Sequence, residues 1–376
     1  MKIAYLLADT DLAGGISVIV AHADALIDRG HDVTLITPGT PLTWRRSRAK
    51  WQYVRSFEEV DGSEFHFVVG TFWTTVAAAY AIAGPRTVHF CQGYEGSFSA
   101  YAAMKPEIDA VYRLPIPKIC VSPHLVEVCR ALHDDATYVG QIVDDEFFQS
   151  PHPPFGHPST RFARSGQALL PASGEKGTRH THGESPSPRL RGEGGRRPGE
   201  GPRQPRVLLV GPAQANFVKG IDIGYAAARR ARALGAKFDL IRATQWVAAE
   251  DEPVDLATEF HVAIPTSQMA RLFASSDIYL GTNRRQEGFG LPAAEAMASG
   301  VPTILTEIPS YLWWDERHDY ALFTPEEDGE AMGDALVRLL GDAALRERLA
   351  RRGREVAEQF RPERMGERLE RFFQSR

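Results

Sequence analysis

The chain has 376 residues, of which 43% are hydrophobic and 24% charged, ordinary values for a folded globular protein but too long for one compact domain. Forty-three basic and 48 acidic side chains leave a formal net charge of −5, which excludes the overall basic excess expected of a nucleic-acid binder. No stretch approaches the ~20 apolar residues of a membrane span, and the first apolar run stops at Asp9, short of the ~7–15 residues of a secretory signal. The expectation is a cytoplasmic protein, with peripheral contact to the inner face of the plasma membrane left open. Cys91, Cys120 and Cys129 contain no CxxC pair, which fits a reducing compartment and argues against a structural zinc site.

In chain order, an apolar run at 3–8 is followed by Gly14-Gly15, a helical pattern over 18–27, Gly30, and a second apolar run at 32–37. Strand, glycine turn, amphipathic helix and strand read as a βαβ unit, and strands apolar throughout predict a parallel sheet buried on both faces. Further strands are predicted at 65–69, 87–91 and 118–121, with a helix over 123–132. The pattern restarts with a strand at 206–210, the Gly211-Pro212 turn and a helix over 222–234 closed by Gly235. Strands at 238–242, 261–264 and 278–281 follow, with a helix over 268–274. Two such runs imply two doubly wound, Rossmann-like α/β domains, with ligands at the carboxyl ends of the strands, in the cleft between them.

The boundaries read from these patterns are 1–150 for the first domain and 206–360 for the second. Between them, 151–205 is rich in proline, glycine and arginine, has no aliphatic period, and is expected to be a disordered linker insert that limited proteolysis cuts first. At the other end, 329–376 has helical spacing broken at Arg361-Pro362. Met365, Leu369, Phe372 and Phe373 form an apolar stripe, so 361–376 is expected to pack back on the first domain.

The segment most informative about chemistry is EGFGLPAAEAMASGVP at 287–302. Gly288 and Gly290 soften a loop that leads through Pro292 into a helix ended by Gly300. A helix N-terminus offers free N–H groups and partial positive charge, which suits a phosphate. Glu287 stands before the loop and Glu295 inside the helix, so one carboxylate can face the sugar end of a ligand while the other accepts hydroxyl hydrogen bonds. Asp9-Thr10-Asp11 spells a metal-binding DxD, but after a strand an Asp more often closes a turn, and no metal is assigned.

That segment resembles the signature of the retaining family 4 glycosyltransferases, enzymes of the GT-B fold. The likeness extends through SQMARLFASSDIYLGTNRRQEGFG (267–290), through DYALFTPEEDGEAMGDALVRLL downstream, and upstream to Gly211 and Lys219-Gly220. It covers 206–375 strongly and 1–145 loosely. The resemblance implies that Glu295 binds the ribose hydroxyls of a nucleotide sugar and that Glu287 contacts the transferred sugar near its anomeric centre. It implies further that Lys219 pairs with the diphosphate, with Gly211, Gly288, Phe289, Gly290 and Leu291 around the donor. A lysine and a helix N-terminus stabilise the leaving diphosphate without a metal. The implied co-substrate is a UDP, GDP, ADP or dTDP sugar, with no further cofactor, and the acceptor is a glycan, a lipid-linked molecule or a small molecule.

The family usually has an arginine just after the glycine of the second domain's first turn, where this chain has Pro212 and Ala213. Arg284 and Arg285, ahead of Arg242, are the expected replacements. In the first domain, TVHFCQGYEGSF (87–98) is similar to a rhamnosyltransferase-like branch through its Gln-x-Tyr-Glu pattern. Gln92 and Glu95, with Gly14 and Gly15, are therefore expected to line the acceptor side of the cleft, while His89 is read as a buried, hydrogen-bonded core residue. Of Trp313 and Trp314, one is expected in the core. The expected reaction is glycosyl transfer from a nucleotide sugar to an acceptor hydroxyl with retention, in cell-surface polysaccharide or glycoconjugate synthesis. The alternatives are a non-catalytic sugar-nucleotide binder and a GT-B phosphorylase or epimerase. A dehydrogenase is disfavoured because no GxGxxG follows the first strand.

Overall fold

A computed structural model describes residues 1–149, 203–213 and 217–376. The expected insert at 151–205 thus lies, but for its last three residues, outside the described residues. The first domain runs β1 (Lys2–Leu6), α1 (Gly14–Asp28), β2 (Asp32–Thr37), β3 (Lys50–Tyr53), β4 (Phe67–Gly70) and α2 (Trp73–Ala83). It continues with β5 (Thr87–Cys91), α3 (Lys105–Tyr112), β6 (Lys118–Cys120), α4 (Pro123–Arg130), β7 (Ala136–Tyr138) and α5 (Asp145–Gln149). The second domain begins with β8 (Arg206–Val210), α6 (Ile221–Ala233), β9 (Asp239–Thr244), β10 (Glu259–Val262), α7 (Thr266–Ala274) and β11 (Ile278–Gly281). Next come α8 (Leu291–Ala298), β12 (Thr303–Thr306), α9 (Pro309–Leu312), β13 (Leu322–Thr324), α10 (Gly329–Gly341), α11 (Ala343–Ala357) and α12 (Pro362–Gln374).

The first sheet has the order β3-β2-β1-β4-β5-β6-β7 and the second β10-β9-β8-β11-β12-β13, with every pairing parallel. Central strands such as β5, β11 and β12 are buried at every residue, because helices cover both faces. Strand order reverses between β1 and β4 and between β8 and β11, so each sheet opens a crevice at the carboxyl ends of those strands. Among the described residues no helix is long and apolar enough to cross a membrane.

The sequence patterns do not mark β3, α2, α3, β7, α5, β12 or α9. β3 is an edge strand, KWQY, with three of its four side chains exposed, so it carries no apolar run. β10, also at an edge, starts two residues before the predicted 261–264. Arg361 is extended and Pro362 opens α12, which crosses to the first domain. There Met365, Leu369, Phe372 and Phe373 are all buried, the Phe373 ring packs tilted against Phe67 at 5.1 Å, and Glu370 pairs with Arg29.

The cysteines show what linear spacing hides. Cys91 and Cys120 are register partners on β5 and β6, and Cys129 comes down on them from α4. All three thiols are buried and free, with their sulfurs within 4.8 Å of one another.

Candidate active site

In the second domain the chain leaves β8 through Gly211 and returns with Lys219. Two hydrogen bonds tie that return to the end of β11: Thr282 Oγ1 donates to the Lys219 carbonyl at 2.7 Å and the Arg284 N–H to the Val218 carbonyl at 2.7 Å. This fixes Lys219 beside Glu287, with Nζ 2.5 Å from Oε2. Asn283 Nδ2 donates to the same oxygen, and Asn283 is itself held by the Tyr311 hydroxyl at 2.8 Å. The other carboxylate oxygen accepts the N–H groups of Phe289 (3.4 Å) and Gly290 (3.2 Å). Burial alone would raise the Glu287 carboxyl, but the Lys219 charge and these donors outweigh it and hold it below its ordinary range.

Gly290 begins α8 in the left-handed region, φ +88°, where a Cβ would also lie 2.2 Å from the Tyr311 ring. One turn into α8, Glu295 has the opposite electrostatics. Burial and then the Asp144 carboxylate push it up to about 8, against the pull of Arg45. Arg45 comes from the first domain, is bonded twice to Asp144 (2.5 and 2.7 Å), and donates to Ser17 Oγ at 2.6 Å.

On the first-domain side, Gly14 and Gly15 open α1, and Gln92 Nε2 reaches the Gly15 carbonyl at 3.3 Å. Glu95 accepts the Tyr112 hydroxyl at 2.5 Å and is pushed up to about 8, chiefly by burial. His89 is buried as expected but, among the described residues, without a hydrogen bond to its ring. It packs edge-on to Tyr112 at 4.4 Å, and burial lowers it to about 3, a neutral core imidazole.

Both domains line one cavity of about 650 Å³. Of the sequence-predicted residues, Gly14, Gly15, Gln92, Glu95, Gly211, Lys219, Glu287, Phe289, Gly290, Leu291 and Glu295 border it. Gly288, Arg284 and Arg285 do not. A Cβ on Gly288 would lie 1.9 Å from the Gln92 carbonyl oxygen and 3.4 Å from Leu125, so this glycine is where the domains touch. Arg284 is drawn to Asp222 and Glu327, and Arg285 to Glu326, on the outside of the loop. Arg242 is fully buried against Glu252. Among the described lining residues, therefore, Lys219 is the cation.

Other placements refine the sequence reading. The Phe289 side chain belongs to the core, packed on Trp314 and Phe360, and its N–H is already bonded to Glu287. Trp314 is 3% exposed, while Trp313 meets Tyr138 of the first domain at 5.2 Å. Asp9 accepts the Asp11 N–H at 3.1 Å, closing a turn after β1. Two nearby residues escaped the motifs: Arg45, in a loop with no pattern, and His124 on α4, which lies close enough to feel the Glu287 backbone and charge.

The glycosyl transferases group 1 family matches residues 204–342. The second domain is a glycosyl transferases group 1 domain. A phosphatidyl-myo-inositol mannosyltransferase of Mycobacterium leprae is 32% identical to this chain over 91 residues, 24% of each protein. An N-acetyl-alpha-D-glucosaminyl L-malate synthase of Bacillus anthracis is 36% identical over 98 residues, 26% of each. These matches thus span about a quarter of either relative. The crystal structure of HepE from Anabaena in complex with UDP-glucose superposes over 100% of both chains with a TM-score of 0.69 at 12% identity, a likeness of fold. The group 1 domain and its partner together have the GT-B fold, two Rossmann-like domains facing across a cleft.

Proposed function

We propose that the protein is a retaining, metal-independent glycosyltransferase that moves a hexosyl or deoxyhexosyl unit from a nucleotide sugar to an acceptor hydroxyl. The observation that carries this reading is the Lys219–Glu287 pair at the N-terminus of α8, inside a cavity bordered by both domains. The Lys219 ammonium and the first turn of α8 would meet the charge developing on the leaving diphosphate. Glu287, held ionised, would orient the sugar at its anomeric centre, and Glu295 would accept hydrogen bonds from the ribose hydroxyls. The donor is a UDP, GDP, ADP or dTDP sugar, as in the family 4 pattern. The acceptor enters from the Gly14, Gly15, Gln92 and Glu95 side. Its deprotonation falls to a donor phosphate oxygen on the same face, which is the retaining geometry. A place in cytoplasmic assembly of surface polysaccharide or glycoconjugate, near or at the membrane, agrees with this chemistry.

The test is release of nucleoside diphosphate from UDP-glucose, GDP-mannose, ADP-glucose and dTDP-rhamnose in the presence of a chelator. One donor should be consumed, and Lys219→Ala and Glu287→Ala should each lower turnover at least about a hundredfold, the scale of losing one preorganised electrostatic partner. Turnover that survives both substitutions would contradict the assignment.

A further inference from the structure

The first-domain half of the cavity has a chemistry of its own. Phe72, Phe98 and Tyr101 border it as a connected set of half-buried rings, with Tyr101 meeting Phe72 at 5.9 Å and Phe98 at 6.3 Å. Leu12 and Trp44 add apolar surface, and the Trp44 indole is fixed by its N–H bond to the Thr10 carbonyl at 2.9 Å. Among the described residues, none lining this half is Lys, Arg or His. Arg45, next to Trp44 in the chain, is half-buried and bonded twice to Asp144. Glu95 is the buried polar group beside the rings, and one of its oxygens already accepts the Tyr112 hydroxyl.

An acceptor bearing phosphate or carboxylate would meet no cationic side chain in this half, and only the first backbone N–H groups of α1, beside Gly14 and Gly15, would offset its lost hydration. Flat or hydrocarbon surface would instead displace water from aromatic faces, a gain proportional to the area covered. We propose that this half of the cavity takes an uncharged acceptor with an aryl or alkyl body, its hydroxyl presented beside Glu95. The proposal rests on the glycosyltransferase reading and adds the acceptor class to it.

The experiment is calorimetric titration of the full chain with four probes: 4-nitrophenyl glucoside, n-octyl glucoside below its micelle concentration, L-malate and myo-inositol 1-phosphate. The same samples are titrated with the nucleoside diphosphates. Saturable binding of either glucoside is expected, weakened about tenfold by Phe98→Ala or Tyr101→Ala, the scale of losing one aromatic contact. Nucleotide binding should be unchanged in both variants, which also shows that they fold. Binding of malate or inositol phosphate in place of the glucosides overturns the proposal, and so does binding of none of the four while a nucleotide binds. Glucoside binding without any nucleotide binding would instead remove the glycosyltransferase reading and leave an apolar pocket.

Discussion

Glu287 and Glu295 stand eight positions apart in one segment yet are driven in opposite directions. Glu287 receives Lys219, Asn283 and two backbone N–H groups and is held low, whereas Glu295 is buried near Asp144 and raised to about 8. The sign of the pH dependence follows. A carboxyl raised from 4.5 to about 8 on folding favours the fold only while protonated: that contribution is complete below pH 4.5, falls as the unfolded chain ionises, and is gone once pH has risen through about 8. Glu295→Gln should therefore gain thermal stability over the parent progressively between pH 4.5 and about 8, measurable by paired melting curves. If ionised Glu295 accepts the ribose hydroxyls, nucleotide affinity should strengthen over the same upward titration in the parent and stay flat in the variant. The two carboxylates were legible because they lie in one motif, and Lys219 because Lys219-Gly220 follows the glycine turn after the second domain's first strand. Arg45 was not: it reaches Glu295 only through the packing of the two domains, and nothing in its local sequence marks it.

At the scale of elements, the loop from Glu287 to Gly290 serves two ends at once. It presents Glu287 to the cavity and, through Gly288, rests against the Gln92 carbonyl of the first domain. A side chain at 288 cannot fit there unless the loop or one domain moves, because the two nearest obstructing atoms are backbone. Gly288→Val should leave each domain folded but hold them apart, which X-ray scattering would report as a larger radius of gyration with an unchanged far-ultraviolet circular dichroism spectrum. An unchanged radius would mean that the loop yields instead. The sequence made the two sheets readable because buried parallel strands are continuous apolar runs, as in TVHFC of β5. It hid β3 and shifted β10 because edge strands carry polar, exposed residues. It also kept the cysteine cluster out of view, since strand register and not chain spacing brings Cys91 to Cys120.

Across the whole molecule, the cavity exists because two sheets face each other at their strand-order reversals and α12 ties the second domain back to the first. Leu369 is fully buried in that tie, and Leu369→Ala should cost about 2–5 kcal/mol in chemical denaturation. We propose that a nucleotide sugar occupies this cavity with its nucleotide on the second domain. The decisive experiment is calorimetric titration of UDP, GDP, ADP and dTDP into the parent and into Glu295→Ala. One nucleotide should bind, and the substitution should weaken it by at least about tenfold, the worth of a charge-assisted hydrogen bond. Binding of none, or binding indifferent to Glu295, would contradict it.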